Sequence, residues 1–122
     1  ICPSGWHIPS DGEWQTMEIS LGMSEAEAAI GGYRGTDQGH QMKSTSGWND
    51  GGNGSNSSGF TGLPGGSRYN DGFGDDGGEV FWWSASESGY HSWTRRLFDN
   101  FDSVFRDYNS WYYGFSARCV RD

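Results

Sequence analysis

The amino-acid sequence predicts a single α+β domain spanning residues 1–122. Three observations predict it. Two Ser/Glu capping signals open helical stretches within the first 30 residues, strand-like alternation fills the last third, and 122 residues can bury one modest core but not two. Helices first and strands last place two N-terminal helices against an antiparallel β meander, with long Gly/Asn/Ser-rich loops between them.

Residues 5–8 (Gly-Trp-His-Ile) read as a short strand. Ser10 followed by Glu13 is a capping box, and Trp14, Met17 and Leu21 recur at helical spacing, which predicts a helix over 11–21 with one apolar face, ended by Gly22. Ser24 with Glu27 opens a second, shorter helix, stopped by Gly31-Gly32. From Tyr33 to Glu79 periodicity is lost. Gly, Asn, Ser and Asp dominate, punctuated by Trp48, Phe60, Leu63, Tyr69 and Phe73, so the stretch reads as ordered loops pinned by these anchors. After Gly78 strands are expected at 80–86, 92–98, 103–106 and 113–120, tightly connected as a meander. In the last of them Phe115, Ala117 and Cys119 would share one face, with Ser116 and Arg118 on the other.

Gly is the commonest residue at 21, and hydrophobic residues make up only 33%. An aromatic content of 16% compensates, because seven Trp, seven Phe and six Tyr bury a large area from few positions. A net charge of −8, with only eight Lys and Arg spread along the chain, argues against a phosphate-binding surface and hence against nucleic acid. No apolar run has transmembrane length, so membrane insertion is not expected. The abrupt start at Ile1-Cys2-Pro3 predicts a mature or excised domain of a longer protein. A disulfide between Cys2 and Cys119 would close nearly the whole chain, worth roughly 4–5 kcal/mol on loop-closure entropy. Two buried free thiols are the alternative. A disulfide suits so small a Gly-rich domain better and carries an exported location with it. A lipid anchor on Cys2 is disfavoured by the strand-like segment that follows.

Four motifs stand in order along the chain: "CPSGWHIPSDGEW" near the start, "GFTGLPGGSR" in the middle, "FWWSASE", and the closing "GFSARCVRD". With them the chain resembles the Fibrobacter succinogenes major paralogous domain over nearly its whole length. "HIPSDGEW" and "FSARCVR" are also similar to motifs of the formylglycine-generating-enzyme superfamily, whose fold is C-type-lectin-like, and the resemblance implies that fold here. Full family members often carry extra N-terminal strands, and none is expected within residues 1–122. The same fold serves the target proteins of diversity-generating retroelements, in which a C-terminal stretch is mutated at template adenines. Trp82 through Cys119 resembles such a stretch, and residues 98–110 hold only residue types reachable that way, without Glu, Gln, Lys or Met.

The candidate ligand-binding residues are Tyr90 and His91; Phe98, Asp99, Asn100, Phe101 and Asp102; Phe105 and Asp107; and Tyr108, Asn109, Ser110, Trp111, Tyr112 and Tyr113. Stiff, amphipathic aromatics among Asn and Ser are the chemistry of a paratope. Loops around 88–91, 98–103 and 107–113 are expected to converge on one face. The competing reading is core. It applies to Trp82, Trp83, Trp93, Leu97, Val104 and Phe115, which sit in strand-like alternation, whereas Tyr108–Tyr113 shows no period. Arg95, Arg96, Arg106 and Arg118 read as strand surface, with Arg106 flanking the suspected site.

Asp71, Asp75, Asp76 and Glu79 lie close together, and Asn49-Asp50 lies among glycines, which makes calcium the one metal candidate. Without EF-hand spacing no metal is assigned, and no cofactor is expected. Trp48-Asn49-Asp50 resembles the sugar-binding tripeptide of C-type lectins but precedes the meander, so the role is not carried over. His7, His40 and His91 lack zinc-ligand spacing. No nucleophile elbow, metalloprotease or phosphate-loop motif occurs, and the cysteine pair of formylglycine-generating enzymes has no counterpart.

The sequence therefore predicts a non-catalytic ligand-binding or adhesion domain. Its expected partner is a protein or glycan on a cell or phage surface, met by an exported bacterial surface protein of which this domain is one part. Alternatives are a carbohydrate-binding lectin, with or without calcium, an enzyme of the formylglycine-generating type, and a purely structural module.

Overall fold

The computed structural model describes residues 1–122. In chain order the elements are β1 (Trp6–His7), α1 (Asp11–Ser20), α2 (Glu25–Ala28), β2 (Gly32–Arg34), α3 (Gln38–Met42), β3 (Ser67–Tyr69), β4 (Gly72–Gly74), β5 (Glu79–Ser88), β6 (His91–Phe98), β7 (Val104–Ser110) and β8 (Val120–Arg121). The class is α+β, with short helices and antiparallel sheets.

Local chemistry sets the first helices. Ser10 Oγ accepts from the Glu13 N–H at 3.1 Å, and the Glu13 carboxylate accepts from the Ser10 N–H at 2.8 Å, completing the capping box of α1. Ser24 Oγ caps α2 in the same way through the Glu27 N–H. The chain ends meet. β1 pairs antiparallel with β8, and the Cys2–Cys119 disulfide closes beside them, with Cα atoms 5.9 Å apart.

β5, β6 and β7 form the expected meander, and β2 adds to its far edge, giving the order β2-β7-β6-β5. Cross-strand partners share a face. Val80 pairs with Leu97, Trp82 with Arg95, and Arg95 with Arg106, so these residues lie on the face turned towards α1. There Trp14, Met42, Trp48, Val80, Trp82, Leu97 and Val104 make the core. Trp14 packs against both Trp82 and Phe60, and the indole N–H of Trp48 donates to the Gly62 carbonyl at 3.1 Å.

The same face carries charge. Arg34, Arg95 and Arg106 are buried with Asp11 and Glu18, so the arginines of β6 and β7 expected at the strand surface are interior for these two. Arg34 and Arg95 clasp the Glu18 carboxylate, and Arg95 and Arg106 clasp that of Asp11. The expected apolar face of α1 is therefore mixed, with Asp11 and Glu18 buried beside Trp14. Arg96 and Arg118 are half-buried and lie over aromatic rings, Arg96 over Phe81 and Phe98, Arg118 over Phe60.

Two other expectations are corrected. The stretch 33–79 is not all loop: β2, α3 and the β3–β4 hairpin form in it, each too short to impose a period. Of its supposed anchors Trp48 is buried and Phe60 and Tyr69 half-buried, but Leu63 and Phe73 are exposed. Residues 113–120 are not a regular strand. Apart from β8 they make only isolated bridges, Gly114 with Arg68 and Ser116 with Trp82. Ser116 exchanges backbone bonds with Phe81 and Trp83, which lays this return segment against β5 without continuing a ladder.

Candidate functional site

The meander geometry separates the predicted binding residues. Tyr90 and His91 sit at the β5–β6 turn, and Ser110 pairs with His91, so Trp111 to Tyr113 leave the sheet at that same end. Phe98 to Asp102 sit at the β6–β7 turn, at the other end of the eight-residue strand β6. The two groups lie roughly 25 Å apart, because a strand rises about 3.3 Å per residue. They do not converge on one face.

At the β5–β6 end the aromatics face water. Tyr112 is 86% exposed, Tyr90 75%, Trp111 46% and Tyr108 41%. Trp111 is nonetheless held in place: its indole N–H donates to Ser92 Oγ at 2.8 Å, its backbone N–H donates to the Tyr90 carbonyl at 3.1 Å, and the Tyr90 ring meets it edge-on. Tyr108 stacks on Trp93 with ring centroids 3.6 Å apart, and the Arg106 guanidinium covers the Trp93 ring, also at 3.6 Å. Trp93, Trp83 and Phe115 are half-buried, not core: Trp93 lies under Tyr108 and Arg106, while Trp83 faces away from α1 and packs with Phe115 of the return segment. Asn109 turns to the sheet and donates to Thr94 Oγ1, and Tyr113 packs edge-on against Tyr69.

Beside these side chains lies a cleft of about 380 Å³ lined by Ile1, Ile8, Trp83, Ser84, Ala85, Glu87, Ser92, Trp111, Tyr113 and Ala117. Its cause is an irregularity in β5. The β5–β6 register shifts between Trp83 and Glu87, and the intervening residues bond elsewhere: the Ala85 N–H to the Pro9 carbonyl, Ser86 Oγ to the Asp11 N–H. The strand bends there, and the return segment closes the opposite wall. Sequence reasoning missed Glu87 and Ser92 and assigned Trp83 to the core. The small run Ser84-Ala85-Ser86, interrupting a bulky strand, was the signal that could have found the bulge.

At the far end Phe98, Phe101 and Phe105 gather around Tyr33 of β2, with centroids 4.7–5.7 Å from its ring. The turn below them is fixed by α3. The Gly39 N–H donates to the Asp102 carbonyl at 2.7 Å, and Lys43 Nζ donates to the Phe98 and Phe101 carbonyls at 3.0 and 3.1 Å. Burial pushes the Lys43 ammonium below the usual lysine range, against the opposing pull of Asp102 and Asp99. Asn100 and Asp107 are exposed, and Asp99 is half-buried.

Of the calcium candidates, Asp71, Asp75 and Asp76 are exposed, while Glu79 is buried and its carboxylate is taken by Arg96. Burial raises the Glu79 carboxyl, with the Arg96 bonds opposing. No three His, Cys, Asp or Glu side chains come together in a group able to hold a metal ion. No helix is long and apolar enough to cross a membrane.

A family model described as the Fibrobacter succinogenes major domain matches residues 1–121. Neither a curated protein nor a solved structure matches the chain.

Proposed function

The chain belongs to the Fibrobacter succinogenes major domain family, and from that premise we propose that it is a non-catalytic recognition module. One observation carries this reading: three exposed aromatics, Tyr90, Trp111 and Tyr112, cluster at the β5–β6 end, where Trp111 lines a cleft, on a frame braced by a disulfide and a buried ion cluster. Large rings exposed to water cost the fold apolar burial, while their stiffness lowers the entropy a ligand contact must overcome. The fold is C-type-lectin-like in this proposal, supported by the paired terminal strands, the capped helices and the meander.

The ligand is a protein or glycan, and the setting an exported bacterial surface protein; the disulfide supports an oxidising compartment. Diversification by a retroelement is part of the same proposal, applied to the β5–β6 end, where Tyr90, Tyr108 and Tyr112 are exposed. A near-repeat of the coding DNA differing only at adenines tests it. The half-exposed indole face of Trp111 favours a second reading, a carbohydrate-binding lectin, with the calcium-dependent form tested by chelation.

The decisive experiment compares wild type with Trp111→Ala/Tyr112→Ala on glycan arrays and on arrays of cell-surface proteins. The expected result is binding by wild type and its loss in the variant at unchanged melting temperature. Equal binding by both overturns the reading.

A further inference from the structure

The cleft at the β5–β6 end has an unusual lining. Its walls are aromatic, Trp83 from β5 and Trp111 and Tyr113 from the return segment, and its only charged side chain is Glu87. Glu87 is the direct cross-strand partner of Ser92, and Ser92 Oγ accepts the indole N–H of Trp111. Partners so paired project to the same face about 5 Å apart, so the carboxylate emerges next to the indole. Glu87 makes no ion pair, and seven of the eight Lys and Arg side chains are engaged by carboxylates, carbonyls or rings elsewhere. No Lys, Arg or His lines the cleft.

We propose that this cleft binds a small organic ammonium compound of the choline type, with its cationic nitrogen against the Trp111 and Trp83 rings and its charge met by Glu87. The proposal rests on the recognition reading and names the ligand class for that site. The negative faces of aromatic rings attract alkylated ammonium groups, and a carboxylate beside them adds a direct Coulombic partner. The net charge of −8 draws cations towards the surface. The cleft suits the alternatives less well. An anion would meet Glu87 and find no Lys, Arg or His side chain. A phosphocholine headgroup carries a phosphate with the same difficulty. A sugar is the nearer competitor, because Ser92 Oγ and Ser84 Oγ, which accept from the Trp111 indole and the Ser86 N–H, each keep an O–H to donate; the methyl glucoside probe decides between the two. With its N–H consumed, the Trp111 indole offers a face and not a donor.

Tryptophan fluorescence and calorimetric titration test the proposal on the full chain with choline chloride, using sodium chloride at matched ionic strength as the blank. Three other probes run in parallel: 3,3-dimethylbutan-1-ol, the neutral isostere of choline; methyl glucoside; and phosphatidylcholine vesicles. Saturable choline binding is expected, with the isostere at least about tenfold weaker, a factor that corresponds to one cation–π or ion-pair contribution. Glu87→Gln should weaken choline about tenfold at unchanged melting temperature, and Trp111→Ala should abolish binding. Equal affinity for choline and its isostere, saturable binding of methyl glucoside or vesicles in place of choline, or no binding of choline overturns the ammonium assignment. Each of these leaves the recognition reading standing if Trp111→Ala/Tyr112→Ala still loses its array ligands.

Discussion

Replacing Glu18 with Gln removes one charge from the most enclosed part of the molecule. The Glu18 carboxylate accepts from Arg34 Nη1 and Nη2 at 2.8 and 2.7 Å and from Arg95 Nε at 3.1 and 3.2 Å, and none of the three side chains is exposed. With Asp11 and Arg106 the cluster holds three positive and two negative charges, so the substitution leaves three against one. Removing one partner of a buried pair costs about 3–5 kcal/mol. Part is offset here, because Arg34 also donates to the Val104 and Ala28 carbonyls and Arg95 to the Thr94 carbonyl. A loss of about 3 kcal/mol is expected, out of the roughly 5–15 kcal/mol that stabilise a typical domain. For a chain of this length that lowers the melting temperature by roughly 10 °C. Urea unfolding followed by tryptophan fluorescence at pH 7 measures it. The double variant Glu18→Gln/Arg34→Met should lose less than the sum of its single variants, since it discards an unpaired cation, with a coupling of about 1 kcal/mol or more. Additive losses, or a cost for Glu18→Gln below about 1 kcal/mol, would refute the view that this cluster braces the recognition frame.

Acid should weaken the fold through Asp11. Burial pushes its carboxyl up, but the bonds from Arg106 and Arg95 prevail and hold it at about 2 against the usual 3.8. A depressed carboxyl stabilises the native state above its unfolded pKa and loses that contribution as pH falls through about 2, so a drop on the order of 1–2 kcal/mol is expected between pH 4 and pH 2, read from urea midpoints. His7 has the opposite sign. Hydrogen bonds with Asp122 and Glu13 raise it above 6.5, so its contribution is full below that value and fades as pH climbs through the raised one; His7→Gln should flatten this part of the pH profile. Gly39→Ala would place a methyl 2.6 Å from the Asp102 carbonyl oxygen and should cost about 2 kcal/mol, whereas Gly12→Ala in α1 meets only Ser10 Oγ at 3.8 Å and should stabilise by about 0.5 kcal/mol; thermal melts compare the two. Reducing Cys2–Cys119, separated by 117 residues, should lower the melting temperature substantially, up to the roughly 4–5 kcal/mol of loop closure, as a melt with and without reductant shows.

The features legible in the sequence are those whose cause is local or periodic. The capping boxes at Ser10 and Ser24 are bonds across three residues, and each forms where its spacing says. Trp14, Trp82, Leu97 and Val104 repeat with the period of their helix or strand, and all are buried. The family and the disulfide were legible too, from motif order and from two cysteines at the chain ends. Tertiary structure alone decided the rest. An arginine in an alternating strand looks the same in sequence whether solvent or a carboxylate receives it. Arg95 and Arg106 went inward because Glu18 and Asp11, 77 to 95 residues away in the chain, wait opposite them. β2 formed because β7 offered an edge, although three residues carry no period of their own. The predicted binding segment 98–103 separated from 88–91 and 107–113 because a meander sends successive turns to opposite ends. The cleft exists only where a bend in β5, the Glu87–Ser92 pair and the Trp111 return meet in space. Short-range bonds and repeats are written along the chain; which charge finds which partner, and which rings stay in water, depends on distant segments packing together.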